Sequence, residues 1–423
     1  MNITLEKGHS HITLDLDDQH IAGVLQGRDI PALGHDAVAR IIGDGIRSHA
    51  PGDIRDKQIA VIIPDDTRLW ARGDLFVPVI IDTLTDMGAA PGCITIIIAL
   101  GTHREIPASG FAALCGKGIP DKVRVINSAG LAPGRLDHIG TTPSGTPLEI
   151  TREARDADHI IIFGGILHHM LAGYGGGRKY ILPGIAGEAS IQANHSLAID
   201  GKGIPLPTVT QAICRDNPVS RDMADGADMF LKGKTCTYAA VAANGRGEIF
   251  HARAGGLHTV FEKGCRELDR ACCVDVDRPG DFVLFSAGGH RTDAQLYQAT
   301  KALFNAVNVA RIGAPLLFVA GCGQGPGNDR FADALKTYKT DPGRLGRKLT
   351  TEFHMPDYVA LRVMDILNRY RVTLVSDLDP ADVRDMGFGH TRDPQEWAGR
   401  LKGRGYVIPF AENILPRLVS PAS

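Results

Sequence analysis

The segment IAVIIPDDTR, residues 59–68, is an unbroken apolar run that ends in charged and polar residues. A strand of a parallel sheet requires such a run, because helices cover both faces of the sheet. The runs of this kind are IAVIIP (59–64), CITIIIAL (93–100), VRVIN (123–127), HIIIFGG (159–165), DFVLFSAGG (281–289), PLLFVAGCG (315–323) and RVTLVSDL (371–378). Helix-like stretches separate them. The pattern predicts an α/β protein of two doubly wound domains with mostly parallel sheets.

Polar or glycine-rich residues follow several of these runs directly. PDDTR follows the first, GTHRE the second, ILHH the fourth and AGGHRTD the fifth. In open parallel sheets the ligand crevice lies beyond the carboxyl ends of the strands. We therefore expect these clusters to form one active site, in the crevice between the two domains.

The chain length of 423 residues indicates more than one domain, since domains usually contain about 100–200 residues. Pro and Gly in VDVDRPGD (274–281) precede a new strand. We place the boundary there, with an N-terminal domain over residues 1–275 and a C-terminal domain over residues 276–423. The last segment could pack back on the first domain. Asn244-Gly245 within 237–255 predicts a hairpin late in the first domain.

Composition and charge exclude several classes of partner. The formal net charge of −2 gives no field that would attract a nucleic acid or an anionic membrane. The N-terminal residues do not resemble a signal peptide, and the apolar runs are shorter than the roughly 18 residues that span a bilayer. The eight cysteines contain no CxxC pair, which argues against a zinc site or a disulfide scaffold. We expect a cytoplasmic protein with a small-molecule partner.

Residues 168–196, HHMLAGYGGGRKYILPGIAGEASIQANHS, combine glycines, a lysine and histidines. Gly175, Gly176 and Gly177 can expose backbone N–H groups to a phosphorylated cofactor beside Lys179. The segment is not a P-loop, because GxxxxGK[ST] requires Ser or Thr directly after the lysine. A nicotinamide site is disfavoured too, since the first strand is not followed by G-x-G-x-x-G. The alternative is a tight turn with a solvated lysine.

Four histidines lie near predicted strand ends or glycine loops: His103, His168, His169 and His195. Histidine acts as a metal ligand or as a general acid or base near neutral pH. His195 lies in a predicted helix, and such rigid placement suits a metal ligand. Neighbouring residues of a strand point in opposite directions, so at most one of His168 and His169 faces the crevice well.

Two further segments carry candidate substrate ligands. Arg68 can hold a carboxylate through two parallel hydrogen bonds, although capping by Asp66 or Thr67 with a solvated arginine is the alternative. In RTDAQLYQATKAL (291–303), Asp293 is a candidate N-cap, and Gln298 and Lys301 share one helical face. They can bind a substrate hydroxyl and carboxylate. An ordinary surface helix is the competing interpretation.

Together DDTR, GTHR, HHxxAGYGGGRK with the later NH, and YQATK resemble the nickel-dependent lactate racemase family of 2-hydroxyacid racemases and epimerases. The resemblance covers most of the chain, in the same order. It implies an isomerase that binds a nickel-pincer nucleotide, a pyridinium-3-thioamide-5-thiocarboxylic acid mononucleotide. The enzymes that synthesise this cofactor would be further partners.

The resemblance also implies roles for residues of this sequence. Lys179 would hold the cofactor covalently, and His195 would bind nickel. His103 and His169 would be the proton-transfer pair, while hydride moves between C2 and the cofactor through a 2-keto acid. The remaining implied positions are Asp65, Gly175, Gly176 and Gly177 with the cofactor, and Arg68, Tyr297, Gln298 and Lys301 with the substrate.

The sequence departs from the family pattern at two places. Leu69 follows Arg68 where a proline is common, and His290 and Arg291 stand where lactate-active members have small or apolar residues. Such polar groups predict a substrate more polar than lactate, for example a sugar acid such as gluconate, or malate. The alternatives are lactate or another short-chain 2-hydroxyacid, and a non-catalytic protein that binds carboxylates.

Overall fold

The structure, a computed structural model, describes residues 1–50, 52–244 and 247–419. The chain divides into two compact units. Unit 1 contains Met1–Arg28, Ile199–Leu206 and Arg270–Ser423, and unit 2 contains Asp29–Ala198 and Pro207–Asp269. The domain boundary that the sequence predicts between residues 275 and 276 stays a prediction. The sequence did not indicate that the first 28 residues would cluster with the C-terminal part of the chain.

The strands of the described residues differ in length and sheet membership. They are β1 (Asn2–Lys7), β2 (Ser10–Asp15), β3 (Ile21–Val24), β4 (Ile59–Pro64), β5 (Ile94–Ala99), β6 (Arg124–Asn127), β7 (Leu136–Thr141), β8 (Pro147–Thr151), β9 (His159–Gly165), β10 (Leu167–His169), β11 (Gly173–Gly175), β12 (Thr235–Ala243), β13 (Ile249–Gly255), β14 (Cys273–Val276), β15 (Val283–Ser286), β16 (Pro315–Val319), β17 (Arg371–Val375), β18 (Gly389–His390), β19 (Gly405–Ile408) and β20 (Leu415–Leu418).

The α-helices alternate with these strands along the chain. They are α1 (His35–His49), α2 (Gly73–Asp86), α3 (Phe111–Cys115), α4 (Ile119–Lys122), α5 (Arg152–Arg155), α6 (Glu188–Ser196), α7 (Pro218–Leu231), α8 (Leu257–Cys272), α9 (His290–Asp293), α10 (Leu296–Ala306), α11 (Asp329–Tyr338), α12 (Pro342–Leu349), α13 (Met355–Arg369), α14 (Pro380–Asp385) and α15 (Pro394–Ala398). Within the described part of the chain, none is long and apolar enough to cross a membrane.

Unit 2 is built on a six-stranded sheet in the order β13-β12-β9-β4-β5-β6. The strands are parallel except β13, which pairs with β12 in an antiparallel hairpin. The chain runs from β4 through β5 to β6 and then returns to β9 on the other side of β4. This reversal is a topological switch point, where α/β proteins bind ligands beyond the carboxyl ends of the strands.

Unit 1 is built on a second six-stranded sheet, in the order β18-β17-β16-β15-β19-β3. All of its neighbouring strands are parallel. Its strand order reverses between β15 and β19, so the residues after β15 occupy the equivalent position. The N-terminal strand β3 completes the sheet by pairing with β19, which explains why the first residues of the chain belong to this unit.

The apolar runs form the sheets as predicted. Every residue of β4 and of β9 is buried, because helices pack on a sheet whose strands lack a polar face. The α/β class with mostly parallel sheets is therefore confirmed. The hairpin predicted within 237–255 is also found as β12 and β13, although Gly245 of its predicted turn lies outside the described residues.

The predicted N-cap role of Asp293 is wrong. Asp293 is the last residue of α9, and the next helix, α10, has Gln295 at its N-cap. The Asp293 carboxylate is fully buried and accepts hydrogen bonds from the backbone N–H groups of Gly8 and Gly321, at 2.9 and 2.7 Å. Both hydrogen bonds end on Oδ2, and they form a tertiary contact that the local pattern around residue 293 could not reveal.

His159, the first residue of β9, makes the stability of the protein depend on pH. It is buried, and its Nδ1 lies 2.5 Å from the hydroxyl of Thr235. Burial lowers its pKa to about 4, although a hydrogen bond with the backbone of Thr235 acts in the opposite direction. In an unfolded chain histidine has a pKa of about 6.5, so between these values the unfolded state binds the extra proton. Stability is therefore lost as the pH falls below about 6.5.

We expect the His159→Gln variant to lose less stability on acidification than the unmodified protein. The contribution of His159 between pH 7 and pH 5 is about 2 kcal/mol. Thermal unfolding of both proteins at the two pH values measures it, with His138→Gln, at an exposed histidine, as the control. An equal loss of stability in all three proteins would show that His159 does not carry the effect.

Candidate active site

The chain leaves β4 through Asp65, a buried carboxylate that begins a short 3-10 helix, Asp66–Ala71. Asp65 is the N-cap, and its Oδ1 accepts from the backbone N–H of Thr67 at 3.2 Å and from the Thr67 hydroxyl at 2.5 Å. Arg68 is half-buried and donates to the carbonyl and hydroxyl oxygens of Thr67. The residue that caps this helix is therefore Asp65, and the alternative of capping by Asp66 or Thr67 is wrong.

Asp65 also connects this loop to the one that follows β5. Its second oxygen, Oδ2, lies 2.5 Å from Nδ1 of His103. Beside it, Arg104 forms an ion pair with Asp66 at 2.5 Å. Two polar contacts thus join the loops that follow β4 and β5. The buried carboxylate of Asp65 orients the imidazole of His103, although the His103 side chain remains 60% exposed.

The charge state of Asp65 determines which nitrogen of His103 is available. Burial alone would raise the pKa of Asp65, but hydrogen bonds from His103 and Thr67, together with nearby Arg68, lower it below its ordinary value. An ionised carboxylate can only accept hydrogen bonds, so Nδ1 of His103 donates its proton to Asp65. In a neutral ring Nε2 then has a lone pair, the arrangement of a general base held by an aspartate.

The end of β9 leads into the hairpin of β10 and β11, which carries the adjacent histidines. The two residues point away from each other, as expected for neighbours in a strand. His168 Nε2 lies 2.8 Å from Oδ1 of Asp269 in α8, and the same carboxylate accepts from the Tyr174 hydroxyl at 2.7 Å. His168 and Tyr174 are opposite each other in the hairpin, so Asp269 ties both strands to α8.

His169 has a hydrogen-bond pattern that differs from that of His103. Its Nδ1 accepts from the backbone N–H groups of Leu171 and Ala172, at 3.1 and 3.2 Å. A nitrogen that accepts carries no proton, so the neutral ring has its proton on Nε2. Nε2 lies 2.6 Å from Nζ of Lys179. The amine can accept that proton only when it is itself neutral, and a neutral lysine is a nucleophile.

The glycines before Lys179 are required by packing at this site. Gly176 and Gly177 have φ values of +98° and +55°, a region that side chains disfavour. A Cβ atom on Gly176 would lie 2.6 Å from the carbonyl oxygen of Gly165, and one on Gly177 would lie 2.7 Å from the ring of Phe261. Gly175 is similarly close to Leu167. Their role in binding a cofactor stays a prediction.

His195 is a buried residue in the last turn of α6. Its Nδ1 lies 3.2 Å from Oδ1 of Asn194. Burial lowers the pKa of His195 to about 3, and the nearby Lys179 acts in the same direction. The imidazole is therefore neutral at physiological pH, which is the form that binds metal ions.

In unit 1 the candidate substrate residues lie on α10. Gln298 is exposed and Lys301 half-buried, and Nζ of Lys301 lies 3.5 Å from Oε1 of Glu412. Tyr297 packs edge-on against Phe331 with ring centroids 5.4 Å apart, and burial raises its pKa to about 12. The helix predicted from YQATK is confirmed, and it holds these side chains at fixed spacing.

His290 and Arg291 follow β15 at the switch point of unit 1, where both are exposed. The ring of His290 stacks on that of His9, with centroids 3.8 Å apart and planes inclined by 29°. The backbone N–H of His290 also donates to the carbonyl of Gly8 at 2.8 Å. The turn between β1 and β2 therefore adds a second imidazole to this position.

The structure brings together several predicted residues of unit 2, namely Asp65 with His103, and His169 with Lys179. Sequence analysis missed three residues: His9, which stacks on His290 in unit 1, Asp269, which bonds to His168, and Asp222, which accepts from Asn194 beside His195. Asp269 is 101 positions from His168, and no local pattern marks such a pair. His9 had no local signal either, because its stacking partner His290 is distant along the chain.

Comparison with known protein families gives a match to both parts of the chain. Residues 7–204 match the family model of the lactate racemase N-terminal domain. Residues 276–400 match the family model of the lactate racemase C-terminal domain. The first match includes the candidate residues of unit 2, and the second includes those of unit 1.

Relatives of known function and solved structures agree with these matches. The chain is 28% identical over 403 residues to a lactate racemase of Thermoanaerobacterium thermosaccharolyticum, covering 93% of this chain and 92% of the relative. It is 27% identical over 389 residues to a lactate racemase of Lactiplantibacillus plantarum, covering 89% and 88%. The structure of the T. thermosaccharolyticum lactate racemase apoprotein aligns over 99% of this chain and 100% of that chain, with a TM-score of 0.86 and 25% identity.

A second solved structure shares the fold at lower similarity. It is a protein from Thermotoga maritima that aligns with a TM-score of 0.67 and 16% identity, over 93% of this chain and 100% of that chain. At this identity the likeness concerns the fold alone.

Proposed function

The chain belongs to the lactate racemase family and is an isomerase, a racemase of 2-hydroxyacids at the level of the family. From this premise we propose that it inverts C2 of a 2-hydroxyacid more polar than lactate, such as a sugar acid or malate. We propose that it does so with a covalently held nickel-pincer nucleotide. The lactate racemase names of its relatives favour the alternative, lactate or another short-chain acid. The further alternative of a non-catalytic binding protein would give the two paired histidines no chemical role.

One observation carries the proposal: in their neutral forms, His103 has an unprotonated Nε2 and His169 has a protonated Nε2. The contact with Asp65 leaves a lone pair on Nε2 of His103, while the two backbone contacts of His169 Nδ1 leave a proton on its Nε2. One imidazole can take the hydroxyl proton of a 2-hydroxyacid, and the other can give a proton to the oxygen of a 2-keto acid. Inversion requires this exchange in both directions, because either enantiomer can be the substrate.

The residues present fit a covalently held nickel cofactor. Lys179 offers an amine 2.6 Å from Nε2 of His169, and in its unprotonated form an amine suits bond formation to an activated acyl group. His195 offers a neutral imidazole, a ligand type that suits nickel. When bound, such a cofactor supplies a reversible acceptor for the C2 hydride. The protein contributes the positions of the acid, the base and the substrate.

The proposed roles of the remaining residues follow from their chemistry. Arg68 would bind the substrate carboxylate through its planar guanidinium group, close to the base that Asp65 orients. Gln298, Lys301 and Tyr297 would orient the substrate through hydrogen bonds. The glycines Gly175, Gly176 and Gly177 would let the cofactor approach the backbone near Lys179.

The polar substrate is supported by the groups that follow β15. His290 stacks on His9, and Arg291 is the next residue, so two imidazoles and a guanidinium group occupy neighbouring positions. These groups bind hydroxyl and carboxylate oxygens well and have little to offer the methyl group of lactate. The direct test is to incubate cofactor-loaded protein with single stereoisomers of gluconate, malate and lactate, and to follow inversion at C2 by chromatography that separates the stereoisomers. Inversion of lactate alone would refute the polar substrate, and inversion of none would refute gluconate, malate and lactate as substrates.

We expect Arg291→Ala to change the choice of substrate. Loss of a hydrogen bond to a charged group costs about 1.5–3 kcal/mol, so kcat/KM for the polar acid should fall by roughly 10- to 150-fold. The value for lactate should change much less. Arg278→Ala, at another exposed arginine of unit 1, is the matched control. Equal effects of Arg291→Ala on all acids would contradict this assignment.

A further inference from the structure

The side chain of Asn194 lies between His195 and a buried carboxylate. Asn194 and Asp222 are both fully buried. The Asn194 Nδ2 donates to Oδ2 of Asp222 at 2.8 Å and to the carbonyl oxygen of Val219 at 3.1 Å. These two contacts use both amide hydrogens, so the orientation of the amide is fixed and its Oδ1 must point the other way, toward Nδ1 of His195.

We infer that Asp222, acting through Asn194, is a positioning residue that fixes the proton of His195 on Nδ1 and leaves the lone pair on Nε2. Oδ1 of Asn194 is an acceptor and cannot donate. A neutral imidazole 3.2 Å away must therefore present Nδ1–H to it. Free histidine carries its proton on either nitrogen, so the contact selects the one tautomer in which Nε2 can bind a metal.

Asp222 itself is held by groups from a different part of unit 2. It lies in α7 and accepts from the hydroxyl of Thr142 and from that of Thr146, the latter at 2.7 Å. These residues flank the turn between β7 and β8. Because all of its partners donate to it, the carboxylate is compensated in the core. It can therefore hold the Asn194 amide in one orientation.

The same contacts also stabilise the fold, so the test must separate the two effects. Thr146→Val removes one hydroxyl donor to Asp222 and leaves the contact with Asn194 in place. It should lower the unfolding temperature without changing the tautomer of His195. Asp222→Ala and Asn194→Ala remove the contacts that select the tautomer. The carbonyl of Ile191 is a further hydrogen-bond partner of His195, and the Asn194 variant shows whether it suffices alone.

The measurement is a long-range ¹H–¹⁵N correlation spectrum of the full chain without cofactor, labelled with ¹⁵N-histidine, with the His195 signals assigned by their loss in His195→Gln. We expect protonated Nδ1 and unprotonated Nε2 in the unmodified protein and in Thr146→Val. In folded Asp222→Ala and Asn194→Ala the Nε2–H form should gain population.

An Nε2–H ring in the unmodified protein, or the same tautomer in all variants, would overturn the inference. If both alanine variants fail to fold, an Nε2–H ring in the spectrum of the unmodified protein still overturns the inference. The significance for nickel rests on the proposed function, but the tautomer does not. If the spectrum shows Nδ1–H but the cofactor-loaded protein contains no nickel, the metal role of His195 is refuted. The positioning role of Asp222 would still stand.

Discussion

Lys179→Ala should yield a protein without cofactor and with no detectable racemase activity, even when it is produced together with the cofactor-synthesis enzymes. The amine of Lys179 lies 2.6 Å from Nε2 of His169, and its removal eliminates the nucleophile that we propose to form the covalent bond. Lys179→Arg should fail as well, because a guanidinium group is always protonated. Intact mass and nickel content of the purified proteins measure the effect.

The control for this experiment is Lys117→Ala, at an exposed lysine of the same unit. It should carry the same mass increase and the same nickel content as the unmodified protein. A cofactor-sized mass increase that persists in Lys179→Ala would move the covalent attachment to another residue. A mass increase that is absent from every protein would indicate that the synthesis enzymes did not load the chain, and loading must then be established with a lactate racemase of known activity.

His103→Gln should lower kcat by roughly 10²- to 10⁴-fold, the usual contribution of a general acid or base. Nε2 of His103 has the lone pair that we propose to take the substrate proton, because Nδ1 donates to Asp65. Since His103 is 60% exposed, the substitution should leave the unfolding temperature nearly unchanged. The mass increase on Lys179 should also remain, so a loss of turnover cannot be attributed to a missing cofactor.

His138→Gln, at an exposed histidine of β7, is the matched control and should turn over like the unmodified protein. A His103→Gln variant that keeps most of its kcat would remove His103 from the proton-transfer pair. Asp65→Asn offers a second test of the same pair. It should lower kcat less than His103→Gln does, because the ring remains but loses the acceptor that fixes its tautomer.

The fold could be predicted largely from the sequence, because buried parallel strands leave a clear pattern. The run 59–64 became β4 without any change of bounds, and 159–165 became β9. The sequence could not show that β3 completes the sheet of unit 1. Such a short strand has no periodicity of its own, and its place is set by pairing with β19, which is distant along the chain.

The site could be predicted as a set of residues, but only in part as a set of contacts. The opposite directions of His168 and His169 follow from strand geometry, and the structure agrees. The contact of Asp65 with His103 and that of Asp222 with Asn194 join residues 38 and 28 positions apart. A carboxylate in a sequence does not reveal its partner, so the tautomers of the histidines became visible only in the structure.

The most direct test of the central claim is the fate of deuterium at C2. Cofactor-loaded protein is incubated in ordinary water with one enantiomer of a 2-hydroxyacid deuterated at C2, chosen as an acid that the protein inverts. We expect the inverted product to keep the deuterium, because in the mechanism that we propose the hydrogen on C2 moves as hydride while His103 and His169 exchange only the hydroxyl proton. Loss of deuterium to the solvent at the rate of inversion would show that the enzyme abstracts a proton from C2, and would contradict the account.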